Sequence, residues 1–90
     1  MAVPDPRFEA FILLQAQNAG LFLGQLPHPA TGKPSVNLRA ARSVLDSLEM
    51  LEEKTAGNLS ESETRLLGAA LKNLRKLYGR ISENHVTPDE

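Results

Sequence analysis

Leu48-Glu49-Met50-Leu51-Glu52-Glu53-Lys54-Thr55-Ala56-Gly57-Asn58-Leu59-Ser60-Glu61-Ser62-Glu63 contains the end of one helix, a turn and the start of the next. Leu48 and Leu51 carry an apolar stripe into the last turns of the first helix. Gly57 is placed to stop it, because glycine adopts the left-handed conformation past a helix end at least cost. Ser60 and Glu63 have capping-box spacing: the hydroxyl accepts from the amide of Glu63, and the carboxylate accepts from the amide of Ser60. Only Gly57, Asn58 and Leu59 separate the two helices. So short a connection forces them antiparallel.

Working outward, Asn37 is a good N-cap, and Leu38, Ala41, Leu45, Leu48 and Leu51 follow at helical spacing with Val44 alongside. On the other side, Leu67, Leu71, Leu74, Tyr78 and Ile81 alternate by four and three, a heptad seam too short for a free-standing coiled coil. Near the start, Asp5 caps a helix and Pro6 suits its first position. Its apolar positions are Phe8, Phe11, Ile12, Ala16, Ala19, Phe22 and Leu23, and Leu13, Leu14 and Leu21 broaden the stripe to other faces. Pro27, Pro29, Gly32 and Pro34 break the chain after Gly24, with a tight turn at Pro29-Ala30-Thr31-Gly32. The spacing predicts helices over about 6–24, 37–56 and 60–83, a proline-rich loop over 25–36 and a frayed tail over 84–90. The fold class is all-α: a three-helix, up-down-up bundle forming one domain over residues 1–90. Leu48, Leu51, Leu67, Leu71 and Leu74 are the expected hairpin core.

Ninety residues support one thin core, and association with another chain is a common way to thicken it. Aromatics are 4% of the sequence, so that core is mostly aliphatic, which suits packed helices better than a β-sandwich. The net charge of −1 supplies no global field to attract nucleic acid or an anionic membrane. Cysteine is absent, which excludes disulfides and thiolate metal sites. Phe11-Ile12-Leu13-Leu14 is far short of the roughly 20 apolar residues of a membrane span, and Asp5-Pro6-Arg7 reads as a helix start rather than a signal-peptide start. The expected location is the cytoplasm.

A helix apolar on most sides must be buried on most sides. Either the first helix folds across its own hairpin, or it packs on a neighbouring chain. The second reading makes Phe8, Phe11, Ile12, Ala16, Gly20, Phe22, Leu23 and Gly24 an oligomer interface, with Ala16, Gly20 and Gly24 forming a small-residue strip for close helix approach. The expected assembly is a two-fold dimer or higher homo-oligomer.

The string from Leu48 to Ser60, with Val36-Asn37-Leu38 upstream, resembles the bacterial domain-of-unknown-function family numbered eighteen forty-four. Asp5-Pro6-Arg7-Phe8-Glu9 and Leu74-Arg75-Lys76-Leu77-Tyr78 are similar to it too. The resemblance covers most of the chain. It implies a short bacterial intracellular helical protein, and it brings no activity, substrate or catalytic residue.

No chemical constellation stands out. Asp46, Glu49 and Glu53 share one helix face, but a metal cage needs oxygens converging from several directions; a solvated acidic face is the simpler reading. His28 and His85 have no partner at ligand spacing. Thr31-Gly32-Lys33-Pro34-Ser35 lacks the first glycine of a phosphate loop and has proline where its Ser or Thr belongs. The charges are more informative. Glu49, Glu52, Glu53, Glu61 and Glu63 gather at the hairpin turn, and Arg39, Arg42, Lys72, Arg75, Lys76 and Arg80 gather at the open end, with Lys54 and Arg65 as exceptions. A second copy laid head-to-tail offsets that dipole; the alternative is that these long side chains spread into solvent. The expected function is therefore non-catalytic: an interaction and oligomerisation protein that scaffolds or regulates a protein partner, with no cofactor. The alternative is nucleic-acid binding through Arg39, Arg42, Lys72, Arg75, Lys76 and Arg80, disfavoured by the balanced charge and scarce aromatics. Membrane attachment is disfavoured because the first helix lacks a basic face.

Overall fold

The expected caps start all three helices of the computed structural model, which describes residues 3–84. Helix α1 runs Pro6–Phe22, α2 Leu38–Lys54 and α3 Glu61–Asn84. The Asp5 carboxylate accepts from the Arg7 amide at 2.9 Å, and Asn37 Oδ1 accepts from the Ala40 amide at 3.1 Å. At α3 the capping box closes in both directions: the Ser60 amide donates to Glu63 Oε1 at 2.9 Å, and the Glu63 amide donates to Ser60 Oγ at 3.1 Å. Gly24 and Gly57 follow α1 and α2 with φ of 76° and 83°. The first two helices end two residues before the spacing predicts, because Leu23 and Thr55 serve as C-caps.

The bundle is up-down-up. The starts of α1 and α3 meet where the Asp5 amide donates to Glu63 Oε2 at 2.8 Å. At the opposite end Leu23, Leu38 and Ala41 pack with Phe22, Val36, Leu77, Tyr78 and Ile81. So α1 and α3 run parallel, and α2 runs against both. The main core joins Ile12 and Ala19 of α1, Val44, Leu45 and Leu48 of α2, and Leu67, Leu71 and Leu74 of α3, with Leu51 partly buried beside it. Helix α1 therefore folds across its own hairpin.

The proline loop returns tightly along the end of α1. Leu23 and Val36 form an isolated antiparallel bridge, and the Asn37 amide donates to the Phe22 carbonyl at 2.6 Å. Among the described residues there is no strand beyond that bridge, and no helix is long and apolar enough to cross a membrane. The expected tail begins at Asn84, which is the last residue of α3; residues 85–90, including His85, lie outside the described residues.

Candidate interaction surface

The fold divides the apolar faces of α1. Ile12, Ala19 and Leu23 are at most 1% exposed, inside the chain's own cores. Phe8, Ala16 and Phe22 are partly buried against the same cores. This corrects the expected oligomer interface. Ile12 and Leu23 cannot face a neighbour, because the α2–α3 hairpin takes up the stripe that sequence assigned to another chain. Phe11 stays outside at 47% exposure, with Leu13 and Leu14 each at 52%.

The small-residue strip is corrected as well. A Cβ on Gly20 meets Leu26 Cδ1 at an ordinary 3.9 Å, so this glycine borders the chain's own loop. A Cβ on Gly24 meets Val36 Cγ2 at 3.1 Å, and its positive φ is that of a helix terminator. Glycine is required at 24 by the turn and by the closeness of residues 35 and 36.

What remains outward is an uncharged surface. From Ala10 to Pro27 no side chain is ionisable. Arg7, Ala10, Leu14, Gln17, Leu21 and Gly24 are spaced by three and four residues, a short heptad seam opposite the buried stripe. Along the C-terminal half of the helix the loop borders it at Gly20, and at Gly24 just past its end. A groove of about 460 Å³ is left between them, lined by Gln17, Asn18, Leu21, Leu26, Pro27 and Pro29. Sequence reasoning treated Leu13, Leu14 and Leu21 as extra breadth on one stripe. The second three-and-four spacing is the signal that sets Leu14 and Leu21 apart.

The two ends of this surface differ in charge. Asp5, Glu9 and Glu63 line a pocket at the starts of α1 and α3. Glu63 is only 6% exposed, and both of its oxygens accept backbone amides. The Ser60 amide, and next the Asp5 amide, hold its carboxyl below the usual range. The Arg7 side chain, and next the Arg7 amide, lower Asp5 to about 2. Both groups are ionised at neutral pH: the Glu63 carboxylate, accepting from the Asp5 amide, ties α1 to α3, and the Asp5 carboxylate accepts from Arg7 and caps α1. At the other end the loop carries His28 and Lys33. His28 Nδ1 accepts from the Ala30 amide at 3.1 Å, which makes it a turn residue.

The hairpin is less of a dipole than its sequence suggests. Glu49 accepts from Arg75 Nε at 3.0 Å and lies 3.7 Å from Arg42, which also pairs with Asp46 at 3.0 Å. The Arg42 guanidinium lies 5.9 Å from the centre of the Tyr78 ring. Charges are neutralised across the α2–α3 seam because Arg42, Asp46 and Glu49 share one face of α2 and Arg75 lies opposite. Of the six residues in the alternative nucleic-acid patch, Arg42 and Arg75 are thus committed to carboxylates. Lys72, Lys76 and Arg80 are exposed at four-residue spacing along α3, and Arg39 is exposed on α2. Asp46, Glu49 and Glu53 do not converge: among the described residues no group of three or more His, Asp or Glu side chains is placed to hold a metal ion.

No curated protein and no solved structure matches the chain. One family model does, and it spans residues 5–80, from the Asp5 cap through the capping box to the end of the basic run on α3. The residues that start each helix and tie α1 to the hairpin all fall within that span, and the chain belongs to that family, Domain of unknown function (DUF1844).

Proposed function

We propose that this protein is a non-catalytic helical interaction module whose working surface is the outward face of α1. The observation that carries the reading is the exposure of Phe11, Leu13 and Leu14 on a stretch without ionisable side chains. Exposed apolar patches on small domains mark association sites. The hairpin supplies the rigid support, and α1, fixed on it by Ile12 and Ala19, presents the patch. The role is to scaffold or regulate a protein partner. A cytoplasmic location in a bacterium belongs to the same proposal and rests on the family resemblance.

The test compares wild type with Leu14→Glu and with Lys72→Glu/Lys76→Glu. Light scattering after gel filtration reads self-association, and pull-down from native cells reads partner capture. Association lost in Leu14→Glu and kept in the lysine variant supports the proposal. Heparin binding that falls steeply with salt, lost only in the lysine variant, overturns it in favour of nucleic acid.

A further inference from the structure

Resting on that reading of α1, we infer that the occupant of the outward face is a second copy of this chain, packed antiparallel about a two-fold axis at Leu14, with Phe11 of each copy seated in the α1–loop groove of the other.

Three observations meet in this arrangement. The first is register. In an antiparallel pair centred on Leu14, positions exchange as fourteen plus and fourteen minus the same number. Phe11 then lies beside Gln17 and Asn18 of the other copy, Ala10 beside Asn18, and Arg7 beside Leu21. Gln17, Asn18 and Leu21 form the helix wall of the groove, and Leu26, Pro27 and Pro29 form its far wall. Phe11 is a half-exposed ring on the N-terminal half of the face. The groove lies on the C-terminal half of the same face. A projection and a recess at mirror distances from Leu14 are what a two-fold contact requires, because each surface must complement itself.

The second observation is charge. The face is uncharged from Ala10 to Pro27, so two copies bring no like charges together along it. A partner helix with charged residues there would lose hydration without gaining a counter-ion. Beyond the face, the N-terminal end carries the exposed Glu9 beside Asp5, and the loop carries Lys33. The antiparallel arrangement places Glu9 of each copy toward Lys33 of the other. A parallel pair would place like ends together. Arg7 also falls near the C-terminal end of the opposite α1, where the helix dipole favours a cation.

The third observation is area. At 1.5 Å per residue α1 is about 26 Å long, and only its outward strip and the loop edge meet the other copy. A strip of that length is expected to bury less than the roughly 800 Å² per partner of a standard specific interface. The assembly therefore dissociates on dilution.

The sequence has no native cysteine to interfere with cross-linking. Single variants Leu14→Cys and Leu21→Cys, and an equimolar mixture of Phe11→Cys with Asn18→Cys, are treated with a short bis-maleimide at high and low protein concentration. Circular dichroism confirms that each variant is folded. The expected result is efficient cross-linking of Leu14→Cys with itself, and of the Phe11→Cys and Asn18→Cys mixture beyond either alone. Leu21→Cys stays uncross-linked, and all yields fall on dilution. Equal cross-linking of Leu14→Cys and Leu21→Cys overturns the antiparallel register but leaves the α1 surface in place. A wild-type mass of one chain at all concentrations, with partner capture still lost in Leu14→Glu, overturns the second copy as occupant and spares the interaction reading. Dimeric mass with no cross-link at any of these positions overturns both.

Discussion

Ile12 and Leu14 lie two residues apart on α1, one fully buried and the other 52% exposed, so they separate the two roles of this helix. Ile12→Ala removes three carbon atoms from the centre of the main core. At about 0.8 kcal/mol per buried methylene the transfer loss alone is about 2.4 kcal/mol. A cavity bounded by side chains from both hairpin helices raises the loss toward 5 kcal/mol. The whole domain of 90 residues, at roughly 0.05–0.15 kcal/mol per residue, has only about 4.5–13.5 kcal/mol to lose. Leu14→Ala removes the same number of carbons from a surface already half in water, and should stay within about 0.5 kcal/mol of wild type. The assay is urea denaturation followed by circular dichroism, at protein concentrations low enough to hold single chains. With a slope near 1 kcal/mol/M, the Ile12→Ala midpoint should fall by at least about 2 M and the Leu14→Ala midpoint by less than about 0.5 M. Equal midpoints for the two variants would refute the assignment of inner and outer faces, and with it the docking of α1 on its own hairpin.

Leu71→Ala, at another fully buried core position, should cost roughly 2–5 kcal/mol and lower the melting temperature by at least about 10 °C; an unmoved melting curve would mean that the α3 stripe is misassigned. Gly57→Ala should cost about 1 kcal/mol from backbone conformation alone, since φ is +83° and no atom lies within 4 Å of the added Cβ; unchanged stability in denaturant would refute that. Acid titration tests Glu63, whose folded-state pKa lies below its unfolded value. Its carboxylate therefore adds stability above the unfolded pKa of about 4.3, and that contribution disappears as pH falls through the folded pKa. Asp5 acts in the same direction at lower pH, with its folded pKa at about 2. The melting temperature should fall as pH drops from about 5, and Glu63→Gln should lower it at neutral pH and flatten the fall; parallel pH profiles would count against the clamp.

The hairpin was legible because its signals are local. Asn37, Gly57 and the Ser60–Glu63 box act within a few residues of themselves, and each stands where its chemistry predicts. Helix α1 was legible as a helix but not as a partner. Its periodicity shows that it needs cover on most sides, and periodicity carries no label for the chain that supplies it. Ile12 and Leu23 were assigned to a neighbour because nothing local shows that the hairpin has room for them. The glycines misled for a similar reason: spacing made Gly20 and Gly24 a strip, while the return of Leu26 and Val36 onto them is a long-range event. Charge layout failed where pairs cross between helices. Glu49 and Arg75 are 26 positions apart, and their contact depends on the rotation of each helix.

The bond from the Asp5 amide to Glu63 spans 58 positions. Its consequence appears during synthesis. A ribosome adding roughly 5–20 residues per second needs about 3–12 s to extend the chain from one end of that bond to the other. Throughout that interval α1 lacks the α3 leucines that share its core, and its inner face is incompletely covered. The helix made first has its core completed only by the helix made last. For those seconds its uncharged stretch is open to neighbouring nascent chains and to the chaperones that bind such segments.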